Sequence, residues 1–117
     1  MSIAEPVLSP RRRQAGGCCV APVEPDLTVE EATGLAAVAK ALGDPTRLRI
    51  LDVVRKAAPE AVCQCELVPL FEMSQAGLAK HLRVLVEAGV LASERRGTWT
   101  YYYARRGGTE ELTAWLS

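Results

Sequence analysis

Between Thr28 and Ala88 the apolar residues recur at helical spacing, and beyond Gly89 they alternate, so a helical stretch is followed by a short β segment. Thr28-Val29-Glu30-Glu31 has the form of a capping box, and Leu35, Val38, Ala39 and Leu42 then share one face, which predicts a first helix over about 29–42. Asp44 and Pro45 supply an N-cap and a first-turn proline for a second helix ending near Ala57, ahead of Pro59. Its Leu48, Ile50, Leu51 and Val54 form a broad apolar face, with Arg47, Arg49 and Arg55 at polar positions. A short helical segment over Glu66–Phe71 comes next, and Ser74 caps a further helix reaching Glu87 or Ala88, where Gly89 is the stop. Leu78, Leu82, Leu85 and Val86 face inward along that helix, leaving Gln75, Gly77, Lys80, His81 and Arg83 on its outer and flanking positions.

The β segment reads as a hairpin: Val90–Glu94 and Thr98–Tyr103 are the strands and Arg95-Arg96-Gly97 the turn. Trp99, Tyr101 and Tyr103 alternate with Thr98, Thr100 and Tyr102, and this aromatic stripe is expected to pack as core beneath the hairpin. Glu110–Leu116 can form a last short helix. Two helices, a short helix, a turn, a helix and a hairpin are the order of a mainly α, winged helix-turn-helix domain. That domain is expected over 27–117, preceded by an N-terminal arm over 1–26 with prolines at 6, 10, 22 and 25, the Arg11–Arg13 cluster and a Gly16-Gly17 pair, but no apolar periodicity.

Composition changes the picture in two respects. Fourteen Lys+Arg balance fourteen Asp+Glu, which taken alone argues against a nucleic-acid coat. By position, however, residues 74–106 carry Lys80, Arg83, Arg95, Arg96, Arg105 and Arg106 against only Glu87 and Glu94, the local positive excess that phosphate contacts require. Double-stranded DNA is therefore the expected partner. The other respect is thiol chemistry: Cys18, Cys19, Cys63 and Cys65 form two tight pairs, while His81 is the single histidine. An even cysteine count raises the question of a disulfide framework. The N-terminal stretch has no apolar export core, and no window has the roughly 18 uncharged apolar residues of a membrane span, so a reducing cytoplasm is expected, where cysteines serve more often as ligands or redox groups. An enzyme is not expected, because a thiol oxidoreductase would need a Cys-x-x-Cys at a βαβ unit, and His81 is the only base.

All-sulfur ligation selects soft ions. Residues two apart on a regular helix point about 200° from one another, so Cys63 and Cys65 can share an ion only at a helix start or on distorted backbone. Pro69 returns no N–H to the Cys65 carbonyl, which weakens the short helix, and a helix N-terminus favours thiolate.

Asp44-Pro45-Thr46-Arg47-Leu48-Arg49-Ile50-Leu51, Ser74-Gln75, His81-Leu82-Arg83-Val84-Leu85 and Glu87-Ala88-Gly89-Val90-Leu91 together resemble the ArsR/SmtB family of metal-responsive repressors, over about residues 28–117. The resemblance implies a homodimer built from the first and last helices. It also implies operator contacts from Ser74, Gln75, Gly77, Lys80, His81 and Arg83 in the major groove, with Arg95 and Arg96 at the wing. Ala79 stands where the family often has serine, and Gly77 presents no side chain, so the operator sequence does not carry over. In the family a Cys-x-Cys here belongs to a thiolate site beside the reading helix, often with a third cysteine three residues on, where this chain has Val68. The resemblance thus implies an As(III) or Sb(III) inducer held by Cys63, Cys65 and an arm cysteine, Cys18 or Cys19. Tetrahedral Cd(II), Pb(II) or Zn(II) binding by all four thiolates, and a thiol-disulfide redox switch, are the alternatives; no organic cofactor is expected. The family's histidine- and carboxylate-rich site on the last helix is excluded by the lack of a second histidine.

Overall fold

The computed structural model describes residues 23–117. Helix α1 (Val29–Ala41) opens on the predicted capping box: the Thr28 hydroxyl accepts from the Glu31 N–H, and the Glu31 carboxylate accepts from the Thr28 N–H. Helix α2 (Pro45–Ala57) is capped by Asp44, whose carboxylate accepts from the Thr46 and Arg47 N–H groups. Strand β1 (Val62–Cys63) leads directly into α3 (Gln64–Phe71), and α4 (Gln75–Glu87) starts under the Ser74 cap. Strands β2 (Leu91–Arg96) and β3 (Trp99–Ala104) form the hairpin, and α5 (Glu110–Leu116) ends the chain.

The core lies where α2, α3 and α4 meet the base of the hairpin. Ile50, Leu67, Leu78, Leu82 and Leu85 are fully buried there, with Val54, Val90 and Leu91 beside them. Fold class and element order are as the sequence predicts: five helices and an antiparallel wing make a winged helix-turn-helix. Gly89, at φ 78°, takes the left-handed conformation that ends α4, and the N–H of Val90 returns to the Leu85 carbonyl.

Four details differ from the sequence-based expectation. The sheet has a third strand, in the order β1-β3-β2, because Val62 and Cys63 pair with Tyr102 and Tyr101. The short helix begins at Gln64 instead of Glu66, with Cys63 as its N-cap. Arg95 and Arg96 are strand residues; the turn is Gly97-Thr98, with Gly97 at φ 63°. The aromatic stripe is reversed. Tyr102 is the buried aromatic of β3, sharing the inner face with Val62 and Leu91, whereas Trp99 is 55% and Tyr103 43% exposed. Cross-strand pairing puts Trp99, Tyr101 and Tyr103 on the outer face with Arg96, Glu94 and Ala92.

Candidate nucleic-acid interface and thiol site

The helix-turn-helix is α3, the turn through Ser74, and α4. Leu78, Leu82 and Leu85 anchor α4 to the core, and Lys80 and Arg83 are exposed on the opposite side. Gln75 is exposed at the first turn and His81 is half-buried on a flank. Two of the predicted DNA-contacting residues have structural duties as well. The Ser74 Oγ accepts from the Gly77 N–H at 3.0 Å, and a Cβ at Gly77 would stand 3.1 Å from that oxygen. Gly77 is thus a place where helix and cap approach closely, and it is half-buried.

On the wing, Arg95 donates from Nε to the Gly97 carbonyl at 3.3 Å, and Arg96 pairs with Glu94 at 3.4 Å. Both arginines are exposed. Arg105 and Arg106 follow β3 at the end away from the turn, and border a cleft with Gly89 at the C-terminal end of α4. They are therefore not part of a patch with the wing tip. Replacing Arg95 and Arg96 by alanine is expected to weaken duplex binding uniformly across sequences. It should also reduce the slope of log K against log salt by about 0.9 for each phosphate that is no longer neutralised. An unchanged slope in an anisotropy titration would remove the wing arginines from the interface.

Cys63 and Cys65 stand at the start of α3, and neither is in a disulfide. Cys63 is 3% exposed and Cys65 is exposed. The Cys63 sulfur accepts from the Cys65 N–H at 3.4 Å, and the Cys63 N–H donates to the Glu66 carboxylate at 3.0 Å. The two sulfurs thus lie on a helix start, the geometry in which residues two apart need not diverge. The thiolate-favouring effect of a helix N-terminus does not prevail. Hydrogen bonding with the Cys63 side chain, partial desolvation and the charges of Cys63 and Glu66 push the Cys65 thiol up.

Two links join this turn to the hairpin and to α4. Cys63 is paired with Tyr101 in the wing strand β3, and the Gln64 side-chain amide donates to the carbonyl of Gln75 at the head of α4, at 3.4 Å. Sequence reasoning missed both, since neither a two-residue strand nor one glutamine carries a periodic signal. Among the described residues no three His, Cys, Asp or Glu side chains gather to hold a metal ion. Cys18, Cys19 and the Arg11–Arg13 cluster, and with them most of the predicted arm, lie outside the described residues. No helix among the described residues is long and apolar enough to cross a membrane.

Residues 44–93, from the cap of α2 into β2, match the model of the bacterial regulatory protein, arsR family. An uncharacterised HTH-type transcriptional regulator of Methanocaldococcus jannaschii is 37% identical over 68 residues, spanning 58% of this chain and 74% of that protein. The arsenical resistance operon repressor of Bacillus subtilis is 38% identical over 63 residues, 54% of this chain and 58% of that one. The arsenic resistance transcriptional regulator ArsR1 of Pseudomonas putida is 40% identical over 65 residues, 56% and 49% of the two chains. The matched segment thus spans between about half and three quarters of these curated relatives. Among solved structures, an ArsR-like transcriptional regulator from Rhodococcus superposes with a TM-score of 0.65 at 28% identity, covering 75% of this chain and 80% of that one. These relatives are regulators of transcription, not enzymes. With its helix-turn-helix matched by the family model and its winged fold shared with such regulators, the chain belongs to the arsR family of bacterial regulatory proteins.

Proposed function

We propose that this regulator binds operator DNA as a homodimer and leaves it when arsenite, or antimonite, binds Cys63, Cys65 and one arm cysteine, Cys18 or Cys19. The observation that carries the reading is the placement of Cys63-Gln64-Cys65: one turn of chain caps α3, pairs with the wing strand and hydrogen-bonds the head of α4. Drawing both sulfurs onto one centre competes with the Cys65 N–H for the Cys63 sulfur, and so loads the two links that hold the wing and α4 in place.

The donor set fits a soft ion but is incomplete locally, since this turn offers two thiols and a pyramidal trithiolate site needs a third. The chemistry balances as a condensation. Each thiol proton leaves with an arsenite hydroxyl as water, and each sulfur supplies the electron pair of a new S–As bond. The relatives named for arsenical resistance support the choice of ion.

Operator recognition is assigned to Ser74, Gln75, Lys80, His81 and Arg83 on α4, with Arg95 and Arg96 on the wing and Gly77 allowing close approach of the helix backbone. Support for a dimer comes from α1 and α5, which pack together yet leave Val29, Trp115 and Leu116 between 58% and 83% exposed. A coupling of about 1–3 kcal/mol between ion and DNA weakens binding roughly 5- to 150-fold. X-ray absorption of the arsenite-loaded, reduced full chain tests the site. Three sulfur neighbours at arsenic are expected; a count of two would exclude the arm cysteine, and tight binding of cadmium with four sulfurs, together with weak arsenite binding, would favour the tetrahedral alternative.

A further inference from the structure

Arg47 reads in the sequence as one polar position on α2, but its side chain is 18% exposed and is tied to three parts of the fold. Its Nε donates to the carbonyl of Ala41 and its Nη2 to that of Lys40, at 3.5 Å, so it caps the C-terminal end of α1. Its Nη1 stands 4.0 Å from the Asp44 carboxylate. The same nitrogen lies 3.3 Å from Nδ1 of His81 on the reading helix. Burial pushes the Asp44 carboxyl up, but the N–H groups of Arg47 and Thr46, together with the nearby Arg47 and His81 side chains, outweigh it and hold that carboxyl below its usual value.

A guanidinium has five N–H donors and no acceptor, and it does not deprotonate in proteins. The imidazole nitrogen facing it must therefore accept, and in a neutral imidazole the proton then sits on the other nitrogen, Nε2. Among the described residues Nε2 has no hydrogen-bond partner, yet no buried side-chain nitrogen or oxygen is left unpartnered, so Nε2 reaches solvent.

We infer that Arg47 is a positioning residue for operator recognition: it holds the His81 ring in one tautomer and orientation, so that His81 offers DNA an Nε2–H donor and no acceptor. This rests on α4 being the operator-reading helix. The matching partner is a base-edge or phosphate acceptor, such as guanine N7 or O6 or thymine O4, and not the cytosine amino group. Arg47 also ties this donor to the end of α1, so a shift of α1 is felt at His81.

The test uses the full chain and a duplex that the wild-type protein selects from a random pool. His81→Phe is expected to weaken binding roughly tenfold, the worth of one hydrogen bond to DNA, and Arg47→Met by a smaller factor, because part of the imidazole population keeps its Nε2–H; the double variant should be no weaker than His81→Phe alone. Because His81 is the only histidine, a long-range proton–nitrogen correlation spectrum reads its tautomer without ambiguity. The wild type should show an unprotonated Nδ1 and a protonated Nε2, and Arg47→Met a mixture of tautomers. Arg47→Lys, which can keep one donor to His81, should recover part of the loss. Penalties that simply add, or an Arg47→Met imidazole identical to wild type, overturn the inference while leaving the DNA reading intact. Failure of the wild type to select any duplex overturns both.

Discussion

Cys63→Ser protein is expected to bind operator DNA as the wild type does and to remain bound when arsenite is added. Serine is a preferred helix N-cap, and its hydroxyl can accept from the Cys65 N–H as the sulfur does, so the head of α3 keeps its cap. The pairing of this residue with Tyr101 is a backbone matter and also persists. What is lost is a ligand. With only Cys65 and one arm cysteine left of the proposed ligand set, the roughly 5- to 150-fold weakening of DNA binding by arsenite should vanish. Anisotropy of a labelled duplex, titrated with arsenite in reductant, reads this directly; a variant that still releases at wild-type concentrations would exclude Cys63 from the site.

Leu82→Ala should bring the largest loss of stability. Leu82 is 0% exposed on the inner face of α4, between Leu78 and Leu85, so truncation leaves a cavity under that helix. Buried leucine-to-alanine changes cost about 2–5 kcal/mol. A small domain is stable by only about 5–15 kcal/mol, so this is a large share of the total. Urea unfolding should show a lower midpoint at unchanged slope. A loss under about 1 kcal/mol would mean that α4 is not packed on this face.

The helices were legible because each carries local signals that tertiary structure had no reason to override. Thr28, Asp44 and Ser74 cap as their sequence contexts predict, and the apolar faces fall where the 3.6-residue period puts them. The β part was less legible, for physical reasons. Strand β1 exists through its long-range pairing with β3, which no pattern within Val62-Cys63 could reveal. The run from Trp99 to Tyr103 has aromatic residues on both faces, so alternation alone does not say which face is inside; Val62 and Leu91 decide it by bringing Tyr102 inward. The turn moved by two residues because Gly97 takes the positive φ that the hairpin needs.

The candidate site was legible to the same degree. The cysteine pair stands out in the sequence by residue type and spacing, but its attachment to the wing and to α4 depends on Tyr101 and Gln75, which are far away in the chain. Arg47 is the clearest case. One arginine among three on α2 reads as a solvated position, and only the packing of α1, α2 and α4 makes it the residue that touches all three.

Occupation of the Cys63-Cys65 turn should lower operator affinity, which an arsenite titration of the wild-type protein–operator complex, fully reduced and at fixed salt, measures at its source. The expected result is release, with affinity falling roughly 5- to 150-fold at saturation. Operator affinity that stays unchanged while arsenite is shown to be bound would contradict it.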